Sequence, residues 1–170
     1  ASDVYKRQYL HIVGQHNNGY HLIDSLVAFA SIHDILTLKT ATKDIKLDID
    51  GPFASKLISQ PDNLVLKAAR GLARICNINK GAQLKLTKNL PIASGIGGGS
   101  SNAAATLKGL IRLWKVEPDS QALKELALEL GSDVPVCLNA QTAFISGIGE
   151  KILKAGTLPP LNERLPEIPL

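Results

Sequence analysis

A run of eleven residues, PIASGIGGGSS at residues 91–101, constrains the fold and the chemistry of this chain more than any other feature. We call it the glycine segment. Residues 81–89 before it alternate apolar and polar side chains as a strand does, and residues 107–114 after it have helical spacing. Bare backbone that runs into a helix presents N–H groups, and the positive end of the helix dipole, to an anion. The glycine segment therefore predicts a phosphate-binding loop at a strand-to-helix junction.

The commoner glycine motifs do not match this segment. No lysine follows the glycines as it does in GxxxxGK, and Ser100 stands where the third glycine of GxGxxG would fall. A nucleophile elbow GxSxG around Ser94 also fails, because Ile92 occupies the position of its first glycine. A flexible hinge is the alternative, but two hydroxyls and a helix directly after the glycines favour phosphate binding.

The rest of the chain predicts short strands, of which those at residues 26–32, 35–40 and 45–50 are expected to be antiparallel, and amphipathic helices that pack on the sheet. Runs rich in branched residues predict strands at residues 9–13, 26–32, 35–40, 45–50 and 142–146. Asn18-Gly19 predicts a turn after the first of these strands. Three helices are expected: one capped by Asp62, one after the glycine segment, and one capped by Asp119 or Ser120 and ended by Gly131 in a left-handed conformation.

Asp133, in LGSDVPV, is the first candidate outside the glycine segment. Small and apolar neighbours could hold its carboxylate beside a substrate, but on local sequence alone a cap for a short following turn is favoured. Tyr20 and His21 in NNGYH offer a stacking ring and a hydrogen-bond donor to a planar ligand. Packing of that turn on its own sheet is an equal alternative.

His11, His16 and His21 are spaced five residues apart, which invites a metal interpretation. That spacing alternates faces on a strand and drifts on a helix, and no Cys or carboxylate cluster completes a ligand set. No zinc site is predicted.

Composition narrows the class of partner. The net charge is +4, yet no basic run extends beyond Lys6-Arg7 and aromatic residues make up 4% of the chain, so no nucleic-acid groove is predicted. Cys76 and Cys137 lie in apolar segments, which favours buried thiols in a reducing cytoplasm over disulfides. No apolar run reaches the roughly 18 to 20 residues of a membrane span. We expect a cytoplasmic protein that is neither exported nor bound to a membrane.

Four blocks in order resemble the N-terminal part of the 4-diphosphocytidyl-2-C-methylerythritol kinases, a family of the GHMP kinase superfamily. They are NNGYHLIDSLVAFASIHDIL, PDNLVLKAARGL, KNLPIASGIGGGSSNAAATL and LGSDVPVCLNAQTAFISGIGEKI. The resemblance covers residues 9–155 and implies an α+β fold, with a mixed sheet packed with helices as in a ribosomal-protein domain. It implies that residues 9–155 form the N-terminal, ATP-binding domain of the kinase.

The resemblance implies a kinase with ATP and Mg²⁺ as cofactors and a small-molecule substrate. The reaction is phosphorylation of the 2-hydroxyl of 4-diphosphocytidyl-2-C-methylerythritol, a step of non-mevalonate isoprenoid biosynthesis. Asp133 becomes the catalytic base or the residue that orients the accepting hydroxyl, which reverses the local preference for a cap.

The resemblance also assigns binding residues. Those that would hold the triphosphate are Pro91, Ile92, Ala93, Ser94, Gly95, Ile96, Gly97, Gly98, Gly99, Ser100 and Ser101. Asn63, Leu64 and Lys88 would line the adenine side, and Tyr20, His21 and Ile148 would take the cytosine.

Two departures from the family pattern limit the expected activity. The family opens with a pattern like PAKxNL, whose lysine and asparagine positions fall on Tyr5 and Arg7, while Lys6 is one residue out of register and on a strand would face the other way. We expect residues 1–8 to be non-native and residues 156–170 to lead into a missing C-terminal domain, so that the chain as written is weakly active or inactive. The alternatives are another small-alcohol kinase of the superfamily and a non-catalytic nucleotide- or RNA-binding module.

Overall fold

The computed structural model of the chain describes residues 2–15, 21–58, 63–92, 97–139, 143–147 and 151–154. Six strands and five helices are assigned within these ranges. In chain order they are β1 (Ser2–Gln15), β2 (His21–Ala41), β3 (Ile45–Asp50), α1 (Ser55–Ile58), α2 (Leu64–Ile75), β4 (Gly81–Thr87), α3 (Gly98–Trp114), α4 (Ser120–Leu130), α5 (Val134–Asn139), β5 (Ala143–Gly147) and β6 (Lys151–Lys154).

The strands form one sheet in the order β3-β4-β2-β5-β6, with β1 also paired to β2. The long strand β2 corrects the prediction of two separate strands at residues 26–32 and 35–40, because His33 and Asp34 continue it without a break. Its first part pairs antiparallel with β1 and β5, and from Ile35 onward it pairs antiparallel with β4. Asp34 therefore lies where β2 exchanges one set of partners for another.

Strand β3 pairs with β4 in parallel, so the prediction of an antiparallel arrangement is wrong for this pair. The reason is that α1 and α2 lie between the two strands in sequence and return the chain to the same end of the sheet. Ile45, Leu47 and Ile49 pack against the core as their alternation predicted. The expectation of an α+β fold with a mixed sheet is confirmed.

The helices bury their apolar stripes against the sheet and one another. Leu72 of α2, Leu84 and Leu86 of β4, and Leu107 and Leu110 of α3 are at most 1% exposed. At the C-terminal end of α3 the indole N–H of Trp114 donates to the carbonyl of Gly81, at 3.3 Å. This bond ties the end of α3 to the first residue of β4.

The helix ends differ from the predictions in small ways. Helix α2 is capped by Asn63, whose side-chain oxygen accepts from the N–H of Val65 at 2.8 Å, while Asp62 lies outside the described residues. Asp119 is the cap of α4, and Gly131 ends it at φ 154 and ψ 150 instead of in the left-handed helical conformation. The short helix α5 was not predicted, since VPVCLN is too short to show a helical period.

The Asn18-Gly19 turn lies outside the described residues. Strand β5 confirms the strand expected near residues 142–146. In the described ranges, no helix has the length and apolar character needed to cross a membrane.

Candidate active site

The glycine segment enters α3 through Gly97, which adopts φ 65 and ψ 19 and serves as the N-cap residue. This left-handed conformation favours glycine because it has no Cβ. The amide of Ser101 donates to the carbonyl of Gly97 at 2.9 Å. Gly98, Gly99 and Ser100 begin the helix, so their N–H groups have no carbonyl partner within it. The strand-to-helix junction thus has N–H groups of the kind that bind an anion, and phosphate binding there stays a prediction, while Ala93, Ser94, Gly95 and Ile96 lie outside the described residues.

Two of the three residues predicted for the adenine side lie beside this junction. Asn63 and Leu64 form the N-terminus of α2, and a Cβ on Gly99 would lie 3.4 Å from Cδ1 of Leu64. The N-termini of α2 and α3 therefore meet. Pro91 is exposed and Ile92 half-buried at the other end of the glycine segment.

Lys88, the third of these residues, points into the protein. It is 4% exposed, and its Nζ lies 2.6 Å from Oδ2 of the fully buried Asp34. A Cβ on Gly98 would lie 3.7 Å from this Nζ, so the ion pair lies directly beneath the first turn of α3. In the structure the ammonium of Lys88 binds Asp34, and a contact of Lys88 with adenine stays a prediction.

Asp133 lies just before α5, which packs against α3. The carbonyl of Asp133 accepts from the amide of Cys137 at 3.1 Å, and Cys137 Sγ lies 3.6 Å from Ser101 Oγ, within hydrogen-bond distance. Burial raises the pKa of the Cys137 thiol to about 11, and the negative charge of Asp133 adds to that increase in pKa. The half-buried Asp133 is therefore joined through Cys137 to Ser101, the last residue of the glycine segment.

The residues predicted for cytosine are only partly covered. Tyr20 and Ile148 lie outside the described residues, and His21 is described as the first residue of β2, paired with Gln15. Gly147, the last residue of β5, pairs with Ile23 of β2. The start of β2 and the end of β5 are therefore adjacent, and Tyr20, His21 and Ile148 stand next to these two strand ends in the sequence.

Sequence reasoning missed Asp34 and Asn102. The amide nitrogen of Asn102, in the second turn of α3, donates to Oδ2 of Asp34 at 2.9 Å. A signal was present, because a single carboxylate within the apolar run ASIHDILTL must be either exposed or paired when the strand is buried. Its partners could not be read from sequence, since they stand 54 to 68 positions away.

The fold is that of the N-terminal domain of GHMP kinases. Residues 63–141 match the family model described as the GHMP kinases N terminal domain. The crystal structure of a mevalonate kinase superposes with a TM-score of 0.62 at 15% identity, covering 90% of this chain and 54% of that one, a likeness in fold alone.

Among individual proteins, the chain is similar to 4-diphosphocytidyl-2-C-methyl-D-erythritol kinases. The enzyme of Paramagnetospirillum magneticum is 52% identical over 151 residues, which is 89% of this chain and 52% of the relative. That of Ruegeria pomeroyi is 52% identical over 152 residues, 89% of this chain and 50% of the relative. A crystal structure of a 4-(cytidine 5'-diphospho)-2C-methyl-D-erythritol kinase superposes with a TM-score of 0.77 at 30% identity, covering 93% of this chain and 55% of that one. The chain thus spans about half the length of the curated relatives it matches.

Proposed function

We propose that this chain is the ATP-binding half of a kinase that phosphorylates the 2-hydroxyl of 4-diphosphocytidyl-2-C-methyl-D-erythritol. The observation that carries the proposal is the N-terminus of α3 at Gly97, where bare helix N–H groups lie beside the N-terminus of α2 and where Ser101 contacts Cys137, four residues after Asp133. The 52% identity to kinases of that name supports the choice of substrate.

In this proposal each group of residues binds a different part of the two substrates. The first turn of α3 holds the phosphates, Asn63 and Leu64 face the adenine, and Tyr20, His21 and Ile148 take the cytosine. Asp133 accepts the proton of the attacking hydroxyl or orients it. The protein contributes mainly position and charge stabilisation, as phosphoryl transfer generally requires.

Magnesium fits the donors of this site. Among the described residues no cluster of three or more His, Cys, Asp or Glu could hold a metal ion by itself. Mg²⁺ in kinases is held by phosphate oxygens and water with one or two protein oxygens. The hydroxyl of Ser100 and the carboxylate of Asp133 are oxygen ligands of that type. The ion would offset the charge of the phosphates.

The substrates are small molecules, and we retain the prediction of a cytoplasmic protein that acts without nucleic acid or membrane. Another small-alcohol kinase of the superfamily is disfavoured, because the mevalonate kinase likeness is one of fold at 15% identity. A non-catalytic RNA-binding module is the rival from another class. It predicts salt-dependent RNA binding without affinity for nucleotides.

A titration of this chain with ATP and, separately, with a single-stranded RNA oligonucleotide separates these functions. We expect ATP binding that weakens about tenfold or more in Gly97→Ala, since alanine disfavours the left-handed conformation by roughly 1 to 2 kcal/mol and tilts the donors. Gly97→Asn is the control, because asparagine tolerates that conformation. RNA binding without ATP binding would contradict the proposal.

A further inference from the structure

The buried carboxylate of Asp34 accepts hydrogen bonds from donors in the loop after β4 and on α3. Its Oδ1 accepts from the backbone N–H groups of Asn89 at 2.8 Å and Leu90 at 2.9 Å. Its Oδ2 accepts from Nζ of Lys88 at 2.6 Å and from the side-chain amide of Asn102 at 2.9 Å. Asp34 is 0% exposed, and its bonds to Lys88, Leu90 and Asn102 are buried.

The positions of these donors in the sequence give the carboxylate a particular role. Leu90 is the residue directly before the glycine segment, and Asn102 is the residue directly after it. One side chain of β2 therefore binds the residues on both sides of the segment. Because the same carboxylate holds Leu90 and the second turn of α3, it fixes their positions relative to each other.

Lys88 supplies the charge that this arrangement needs. A lone carboxylate beneath the first turn of α3 would repel an anion bound above it, and Lys88 neutralises it by direct contact. The backbone of Lys88 is held in turn, because its N–H donates to the carbonyl of Asp50 at 2.7 Å and its carbonyl accepts from Phe53 at 3.2 Å.

We propose that Asp34 is a positioning residue that fixes Leu90 and the first two turns of α3, on either side of the glycine segment, before the nucleotide arrives, with Lys88 as its counterion. The inference rests on the proposed binding of ATP at this segment. Pre-ordered donors bind more tightly because less entropy is lost on binding. Asp34 acts through the backbone N–H of Leu90 and the side-chain amide of Asn102, without touching the nucleotide.

The test compares Asn102→Ala and Asp34→Asn with Trp114→Phe in the nucleotide-free chain. Asn102→Ala removes the bond of the Asn102 side-chain amide to Asp34 at the α3 end of the segment, and Trp114→Phe removes a buried bond at the opposite end of the same helix. Hydrogen exchange of residues 97–102 and of β4 is measured by mass spectrometry. Binding of ATP and of adenosine, which lacks phosphates, is measured by calorimetry.

We expect Asn102→Ala to speed exchange at residues 97–102 about tenfold or more relative to β4, as local opening does. ATP affinity should fall about tenfold while adenosine affinity stays within about twofold, because only the phosphates use the pre-ordered donors. Trp114→Phe should lower the urea midpoint and leave the ratio of ATP to adenosine affinity unchanged. Should Asp34→Asn fail to fold, Asn102→Ala decides alone.

The outcomes separate this inference from the proposed function. If the parent chain binds ATP and Asn102→Ala changes neither the loop exchange nor the affinity ratio, the role of Asp34 is overturned and the function stands. An equal fall in the ratio of ATP to adenosine affinity in Trp114→Phe also overturns the role of Asp34, since loss of any buried bond of α3 would then have the same effect. If the parent chain does not bind ATP, the function fails. Faster exchange at residues 97–102 in Asn102→Ala then still supports the positioning role of Asp34, and unchanged exchange overturns it.

Discussion

Lys88 and Asp34 are opposite charges inside the protein, with side chains 5% and 0% exposed. Neither charge is stable in such a place without a partner, because transfer of an ion out of water is costly. The pair is thus a requirement of the fold as well as a support for the glycine segment. Lys85 and Asp50, on neighbouring strands, form a pair at 2.9 Å with side chains about half exposed.

Lys88→Met should destabilise the chain by about 3 to 5 kcal/mol, since it leaves the carboxylate of Asp34 buried and unpaired. The double variant with Asp34→Asn should lose less than the sum of the two single variants. Urea unfolding measures these values. Lys85→Met, the same change at the exposed pair, should cost far less. Additive single changes, or equal losses at both lysines, would contradict the coupling.

Cys137 and Cys76 should differ in reactivity towards iodoacetamide. Only the thiolate reacts, and burial raises the pKa of Cys137 to about 11. Burial also raises the pKa of Cys76, but this thiol is half-buried and therefore more accessible to the reagent than the buried Cys137. At pH 8, Cys76 should therefore be labelled first. The rate at Cys137 should rise about tenfold per pH unit below its pKa. Mass spectrometry of the labelled peptides measures both rates, and faster labelling of Cys137 would contradict its burial against Ser101.

At the scale of elements, local pattern predicted most of what the structure contains. The alternation of Ala82, Leu84 and Leu86 and the helical stripe through Leu107 and Leu110 gave the right element types, because each reflects one buried face. The local pattern could not predict which strands and side chains pair with one another. The parallel register of β3 and β4 and the bonds of Asp34 join residues far apart in sequence, so no local window contains them.

The turn after β3 illustrates how an element positions the site from a distance. Gly51 has φ +100, and a Cβ there would lie 2.7 Å from the backbone N and O of Lys88. This close approach holds the start of the loop that leads into the glycine segment. The requirement for glycine at this turn is therefore one of space as well as of conformation.

Gly51→Ala should destabilise the chain by about 2 to 4 kcal/mol, because alanine is strained at a positive φ and its Cβ would clash with the backbone of Lys88. Gly98→Ala is the matched control, because the nearest atoms to its Cβ would be 3.7 and 4.0 Å away, and it should be nearly neutral for stability. Thermal unfolding of the two variants measures the difference. Equal stability would show that the turn does not hold Lys88.

At the scale of the whole molecule, the described residues contain the N-terminus of α3 and Asp133, while the chain matches 52% of the length of its relative from Paramagnetospirillum magneticum. The predicted fold is confirmed; the roles of the site residues, the domain limits at residues 9–155 and the weak activity of the chain stay predictions. They depend on bound molecules and on activity, neither of which a local sequence pattern describes.

Phosphate transfer from ATP tests the central claim most directly. The chain would be joined to the C-terminal half of the Paramagnetospirillum magneticum relative, and its first residues would be replaced by the PAKxNL opening of the family. This protein would be assayed with 4-diphosphocytidyl-2-C-methyl-D-erythritol and with the same alcohol lacking the cytidyl group. We predict one phosphorylated product per ADP formed with the cytidyl substrate, little with the unlinked alcohol, and a loss of about 100-fold or more in Asp133→Asn, which keeps the shape but removes the base. Equal turnover of both alcohols, or full activity in Asp133→Asn, would contradict the account.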